Sequence, residues 1–176
     1  GTGWVKAGAF ARFVIRCSDK VKSVQWYAAV LGMEPVHENP MITFMTYDDE
    51  HHRLALVQNQ GDEKLSKTAP GMDHVAYTLN SLGDLMSTYK RLKSEGIVPV
   101  WPINHGLTTS MYYEDPDGMR VEFQVENYPT KEELQGFMQS EAFSQNPIGV
   151  SFDADKMLER YESGDPIEEL LQQGAA

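Results

Sequence analysis

The sequence predicts an α+β fold of two βαβββ modules packed together, with a helical C-terminal tail. Three observations carry this. A strand–helix–strands order is written twice, over residues 9–60 and 70–128. Within each copy the apolar period switches from two to about 3.6 and back. After Tyr128 the strand patterns give way to capped helical ones. Neither half has strands or core enough to bury its apolar face alone, so the two are expected to pack as one domain. Residues 1–8 form an arm ahead of the first module, and residues 129–176 a helical extension.

In the first module, "FVIRC" alternates as a strand does, with Arg12, Val14 and Arg16 on one face and Phe13, Ile15 and Cys17 on the other. Ser18 or Asp19 then caps a helix whose apolar positions Val21, Val24, Tyr27, Ala28 and Leu31 recur at helical spacing, closed by Gly32. "MITFMTY" and "RLALVQ" follow as strands on either side of the polar loop "DDEHH".

The second module repeats this more clearly. After the strand "HVAYTL", the segment "SLGD" lets Ser81 and Asp84 satisfy the first free amides of a helix. Leu82, Leu85, Met86, Tyr89 and Leu92 make its apolar stripe, and Gly96 ends it. The strands "VPVWPI", "TTSMYYE" and "RVEFQVE" complete the module, the last two joined by the turn "DPDG". Aligned by their turns, the halves set Arg12 against His74 and Ala55 against Glu122, with a single-residue gap near Gln58.

The tail opens with a capping box, Thr130 to Glu133, is broken by "NPIG", and resumes as two short amphipathic helices. Such an appendage suits cover for a sheet edge or support for a homodimer; a lid over a pocket is the alternative.

Composition narrows the partners. The chain has 26 acidic and 15 basic residues, for a net charge of −11. That surface repels phosphate backbones and anionic membranes, so neither nucleic acid nor membrane is expected as a partner. No apolar run approaches the roughly 20 residues that span a bilayer. The opening residues lack the basic-then-apolar order of a secretory signal. The single cysteine, Cys17, excludes an internal disulfide and suits a reducing, cytoplasmic setting.

Five residues stand out as candidates for chemistry: His52, His74, His105, Tyr112 and Glu122. Glu122 is the least comfortable, because a carboxylate between Val121 and Phe123 is costly to bury without a partner or a cation. Exposure on an edge strand is the alternative, since Arg120, Glu122 and Gln124 share one face. Singly, His74 reads as a satisfied structural histidine, His52 as an exposed loop residue, His105 as part of an ordered turn and Tyr112 as a half-buried strand former. Their combination is what needs explaining.

Taken together, "GMDHVAYT", "NHGLTTSMYYEDPDGMRVEFQVEN" and "DEHHRLAL" resemble the vicinal oxygen chelate superfamily, and within it the one-domain branch related to extradiol biphenyl-diol dioxygenases. The resemblance runs through nearly the whole chain. It implies that the two modules form an open, curved, mixed sheet around a cleft, and it implies a catechol, phenolic or polyketide-like aromatic substrate and Fe(II) held by two histidines and a carboxylate. It places His74 and Glu122 as two of the three iron ligands, His52 as the acid–base histidine, His105 as a histidine near ligand or substrate, and Tyr112 as the tyrosine bonding a catechol oxygen. The histidine role fits a side chain whose unperturbed pKa is about 6.5.

The third ligand position is Arg12. A guanidinium stays protonated, offers no lone pair and repels a divalent cation, so tight Fe(II) binding is not expected. An arginine there invites instead a charge-for-charge pairing with Glu122 in a metal-free pocket. Two further readings follow from the same residues: a metal-independent isomerase or cyclase using the His/Tyr/Arg pocket, and a non-catalytic small-molecule binder.

Overall fold

A computed structural model describes residues 3–176; Gly1 and Thr2 of the expected arm lie outside the described residues. The chain divides into two compact units. One runs through Leu65 and takes in Asp115–Asp117, and the other comprises Ser66–Glu114 and Gly118–Ala176.

The first unit contains β1 (Phe13–Cys17), α1 (Lys20–Leu31), β2 (Glu34–Glu38), β3 (Ile42–Thr46) and β4 (Leu54–Gln58). They form an open four-stranded sheet in the order β1-β4-β3-β2, parallel between β1 and β4 and antiparallel elsewhere. Phe13, Ile15 and Cys17 are buried and Val14 and Arg16 exposed, as the alternation of β1 requires. The Asp19 side chain accepts from the Lys22 amide, while Gly32, at φ 64°, closes the helix by donating to the Ala28 carbonyl.

The buried face of α1 differs from the expected apolar stripe. Lys20, Ser23, Tyr27 and Val30 are buried, whereas Val21 is 64 % exposed. Lys20 and Tyr27 on that face have partners in the fold, which their types alone did not announce. Lys20 lays its stem inward and donates from Nζ to Thr43 Oγ1 at 2.7 Å. The Tyr27 hydroxyl donates to Asp115 Oδ2 at 2.8 Å. Ser18, the other candidate cap, instead donates its amide to Asp117 Oδ2 at 2.9 Å. The aspartates of "DPDG" thus hold the β1–α1 corner in place, both 5 % exposed. Strand β2 had no clear sequence signal. It lies at the sheet edge, all its residues are exposed, and its register shifts between Pro35 and His37. An edge position tolerates proline, and exposure on both faces removes the apolar alternation.

The second unit carries β5 (His74–Thr78), α2 (Leu82–Ser94), β6 (Trp101–Asn104), β7 (Thr108–Glu114) and β8 (Arg120–Glu126). These are followed by α3 (Lys131–Met138), α4 (Glu141–Gln145), β9 (Val150–Ser151), α5 (Ala154–Glu162) and α6 (Ile167–Leu170). Its open five-stranded sheet has the order β5-β8-β7-β6-β9, with β5 and β8 parallel. Ser81 caps α2 by accepting from the Asp84 amide, and Leu82, Leu85, Met86, Tyr89 and Leu92 are buried along one stripe. Thr130 and Glu133 form the full capping box of α3. The two-residue β9, too short for sequence periodicity to reveal, pairs with β6 and covers the edge that β6 would leave open.

Strand register supports the internal alignment of the two halves. In the first unit Val14 lies opposite Ala55; in the second Ala76 lies opposite Glu122. Val14 is two residues beyond Arg12 and Ala76 two beyond His74, so Arg12 corresponds to His74 and Ala55 to Glu122. Both sheets are mixed and open, and the class is α+β. Among the described residues no helix is long and apolar enough to cross a membrane.

Candidate active site

Glu122 is 5 % exposed, and its carboxylate organises the second unit's polar cluster. It lies mid-strand on β8, directly opposite Ala76 of β5 and Tyr112 of β7. His74, two residues before Ala76, points from the same face of β5, which brings its ring to the carboxylate diagonally. His74 Nε2 stands 3.1 Å from Glu122 Oε1, and His105 Nε2 stands 3.9 Å from Glu122 Oε2. Tyr112 lies directly across the sheet from Glu122, and its hydroxyl oxygen lies 3.0 Å from His105 Nε2. Burial, followed by the field of Glu122, pushes the Tyr112 phenol well above its ordinary value.

The orientation of each ring is fixed from outside the cluster. Asp73 Oδ2 lies 2.6 Å from His74 Nδ1, which orients the ring with Nε2 toward Glu122. The His74 hydrogen bond, opposed slightly by burial, lowers the Asp73 carboxyl below its ordinary range. Ile148's carbonyl oxygen meets His105 Nδ1. Trp101 packs on Tyr112, ring centroids 5.2 Å apart, and donates its indole N–H to Ser151 Oγ at 3.1 Å. A cavity of about 270 Å³ opens beside Glu122, Tyr112 and His105. A larger cleft of about 980 Å³ in the same unit, under α3 and α6, is lined by none of the candidate residues, so volume does not mark the chemistry here.

His52 and Arg12 belong to the first unit. His52 stacks on Phe44, centroids 4.2 Å apart and rings inclined by 8°. Its Nδ1 lies 2.7 Å from His51 Nδ1, and Arg12 Nη2 lies 3.0 Å from His51 Nε2. Burial first, then the positive charge of Arg12 and the neighbouring His51, lowers the His52 pKa below its ordinary 6.5, against the opposing field of Glu50. The ring is therefore neutral near pH 7 and keeps a lone pair for a proton. In Arg12→Ala the His52 midpoint should rise toward 6.5 in an NMR titration; an unmoved midpoint would show that burial alone sets it.

Among the described residues the buried Arg12 Nε has no hydrogen-bond partner. An unsatisfied buried donor costs about 1–3 kcal/mol, and it calls for an acceptor, the reverse of what a metal needs from a ligand. Among the described residues no group of three or more His, Cys, Asp or Glu side chains is arranged to hold a metal ion. Of the three expected ligand positions, His74 and Glu122 carry groups able to bind a metal, and Arg12 carries a donor that cannot.

His74, Glu122, His105 and Tyr112 thus lie in one polar cluster, while Arg12 and His52 are joined through His51. Sequence reasoning missed Asp73, His51 and Ile148. The first two are visible only as neighbours of a candidate histidine, and Ile148 acts through a backbone atom that no side-chain pattern reports.

Residues 9–123 match the family described as the Glyoxalase/Bleomycin resistance protein/Dioxygenase superfamily. Over 162 residues the chain is 42 % identical to biphenyl-2,3-diol 1,2-dioxygenase 3 of Rhodococcus globerulus, covering 91 % of this chain and 85 % of that one. Biphenyl-2,3-diol 1,2-dioxygenase 2 of the same organism is 41 % identical over 162 residues, 92 % of this chain and 85 % of its own. A solved glyoxylase/bleomycin resistance protein/dioxygenase domain from Frankia sp. superposes with a TM-score of 0.59 at 17 % identity, covering 73 % of this chain and 98 % of that one, a likeness of fold.

Proposed function

The chain belongs to the glyoxalase/bleomycin resistance protein/dioxygenase superfamily and is an extradiol-dioxygenase-like enzyme, and from this premise we propose that it acts on a catechol-type, phenolic or polyketide-like aromatic small molecule with Arg12 in place of one expected iron ligand. The observation that carries the proposal is the cluster around Glu122. Two histidines and a tyrosine converge on one buried carboxylate beside a cavity, in a chain similar over nine-tenths of its length to two diol dioxygenases.

Fe(II) is the cofactor that the family resemblance implies. Of its three ligand positions only His74 and Glu122 retain metal-binding groups here, and no step is assigned to iron. The remaining residues have work of their own. Tyr112 is held between Glu122 and His105 and presents a phenol to a substrate oxygen. His52, neutral near pH 7, accepts or returns a proton. Arg12, with an N–H to spare, holds an anionic oxygen, which is the form a catechol or phenol takes as its proton leaves.

That spare donor favours a second reading, a metal-independent proton transfer such as an isomerisation or cyclisation on the same scaffold. Oxygen consumption separates the two. Purified protein is given catechol or 3-phenylcatechol in an oxygen electrode, with Fe(II) and, separately, with a chelator. Iron-dependent uptake of one dioxygen per diol is the dioxygenase outcome. A product formed with the chelator present and no oxygen consumed is the metal-independent one. Binding without any turnover would overturn both in favour of a binding protein.

A further inference from the structure

The tail grips the segment Asn104–Gly106 from several directions. Leu171's carbonyl accepts from Asn104 Nδ2 at 2.8 Å, and Gln173 Nε2 donates to the Asn104 carbonyl at 3.1 Å. Gly106, at φ 85°, lies so close to the Phe137 ring that a Cβ there would collide with it. Gly149, at φ 125°, lies against the Asn104 carbonyl and the His105 Cα with no room for a side chain. Close backbone approach at a left-handed position admits glycine alone without strain. The Asn104–Gly106 segment therefore depends for its shape on residues 137–173.

Two consequences reach the cluster around Glu122. A carbonyl can only accept, so Ile148 fixes the His105 proton on Nδ1 and leaves Nε2 to Tyr112. The same stretch supplies part of the lining of the cavity beside Glu122, where Phe143 and Pro147 join Leu107 as its apolar members. Phe143 is itself braced by Phe137, ring centroids 5.9 Å apart. A dry cavity of about 150 Å³ takes a benzene ring. At about 270 Å³ this one has room for a diol ring and an apolar substituent of moderate size.

We propose that the C-terminal extension completes the site: Ile148 is a positioning residue that orients His105 through its carbonyl, and Phe143 and Pro147 form the apolar subsite that selects the substituent carried by the aromatic diol. This rests on the diol reading above. Within the tail, the sequence from Phe143 to Gly149 then determines which diols are held, while the polar cluster determines what is done to them.

The test uses the full chain. Dissociation constants for catechol, 3-methylcatechol and 3-phenylcatechol are measured by calorimetry on the wild type, Phe143→Ala and Gly149→Ala, and the His105 ring nitrogens are followed by ¹⁵N NMR. The wild type should bind more tightly as the substituent grows and show His105 protonated on Nδ1. Phe143→Ala should reduce the preference for 3-phenylcatechol over catechol about tenfold. Gly149→Ala should shift His105 toward the Nε2–H tautomer and weaken all three diols. A wild type that binds diols without preference, a preference that survives Phe143→Ala, or a wild-type His105 protonated on Nε2 would overturn this inference and leave the functional reading standing. Should Gly149→Ala fail to fold, the other two measurements decide. A wild type that binds none of the diols overturns the functional reading and this inference with it.

Discussion

Arg12→His should raise Fe(II) affinity by about 100-fold, the upper end of what outer-sphere partners alone contribute to a metal site. The substitution removes a permanent positive charge and puts a lone pair at the position corresponding, by strand register, to His74 of the second half. It also removes the buried Nε–H that has no partner and frees His51 Nε2. Anaerobic titration of Fe(II) into both proteins measures the change, and the oxygen electrode reports whether uptake with catechol increases alongside it. Near-stoichiometric, tight uptake by the wild type would show that Arg12 does not exclude the metal. An affinity unchanged in Arg12→His would show that this residue is not the reason.

Glu122→Gln should lower turnover of an accepted diol by roughly 100-fold, the low end of what a positioned proton-handling group contributes. The amide keeps the shape of the carboxylate, so core packing on β8 is preserved. It cannot keep the charge, and it presents one oxygen and one donating nitrogen where the carboxylate has two acceptor oxygens. The NH₂ group would face either the His74 ring, 3.1 Å away, or the His105 ring, 3.9 Å away, and the attraction between carboxylate and ring is lost there. Stability should move little, since a neutral amide is less costly to bury than a charge. Steady-state kinetics together with a thermal melt read both quantities. Turnover within threefold of wild type would remove Glu122 from the machinery.

Much of the fold is legible in the residues, for physical reasons that differ by element. The α2 stripe from Leu82 to Leu92 is read directly because every position on its buried face is apolar or aromatic. The α1 face is misread because Lys20 and Ser23 are buried there while Val21 is not, and Lys20 finds its partner on β3. Strand β2, exposed throughout, and β9, two residues long, offer no period to detect. At the site, the mid-strand Glu122 marked itself by its cost of burial. Asp73, Ile148 and Phe143 did not, because a carbonyl or an aromatic side chain is ordinary until something is known to face it.

The sequence by itself determined the class, the doubled module, the caps, and the correspondence of Arg12 with His74, since these depend on local periodicity and on order along the chain. Only the tertiary structure decided which polar groups share a proton. His74, Glu122, Tyr112 and His105 come from three strands and a turn and meet because sheet register sets Glu122 opposite Ala76 and Tyr112. Likewise, a tail that reads as an appendage becomes a wall of the cavity and the anchor of His105. Contacts of this kind join residues tens of positions apart, and no spacing along the chain encodes them.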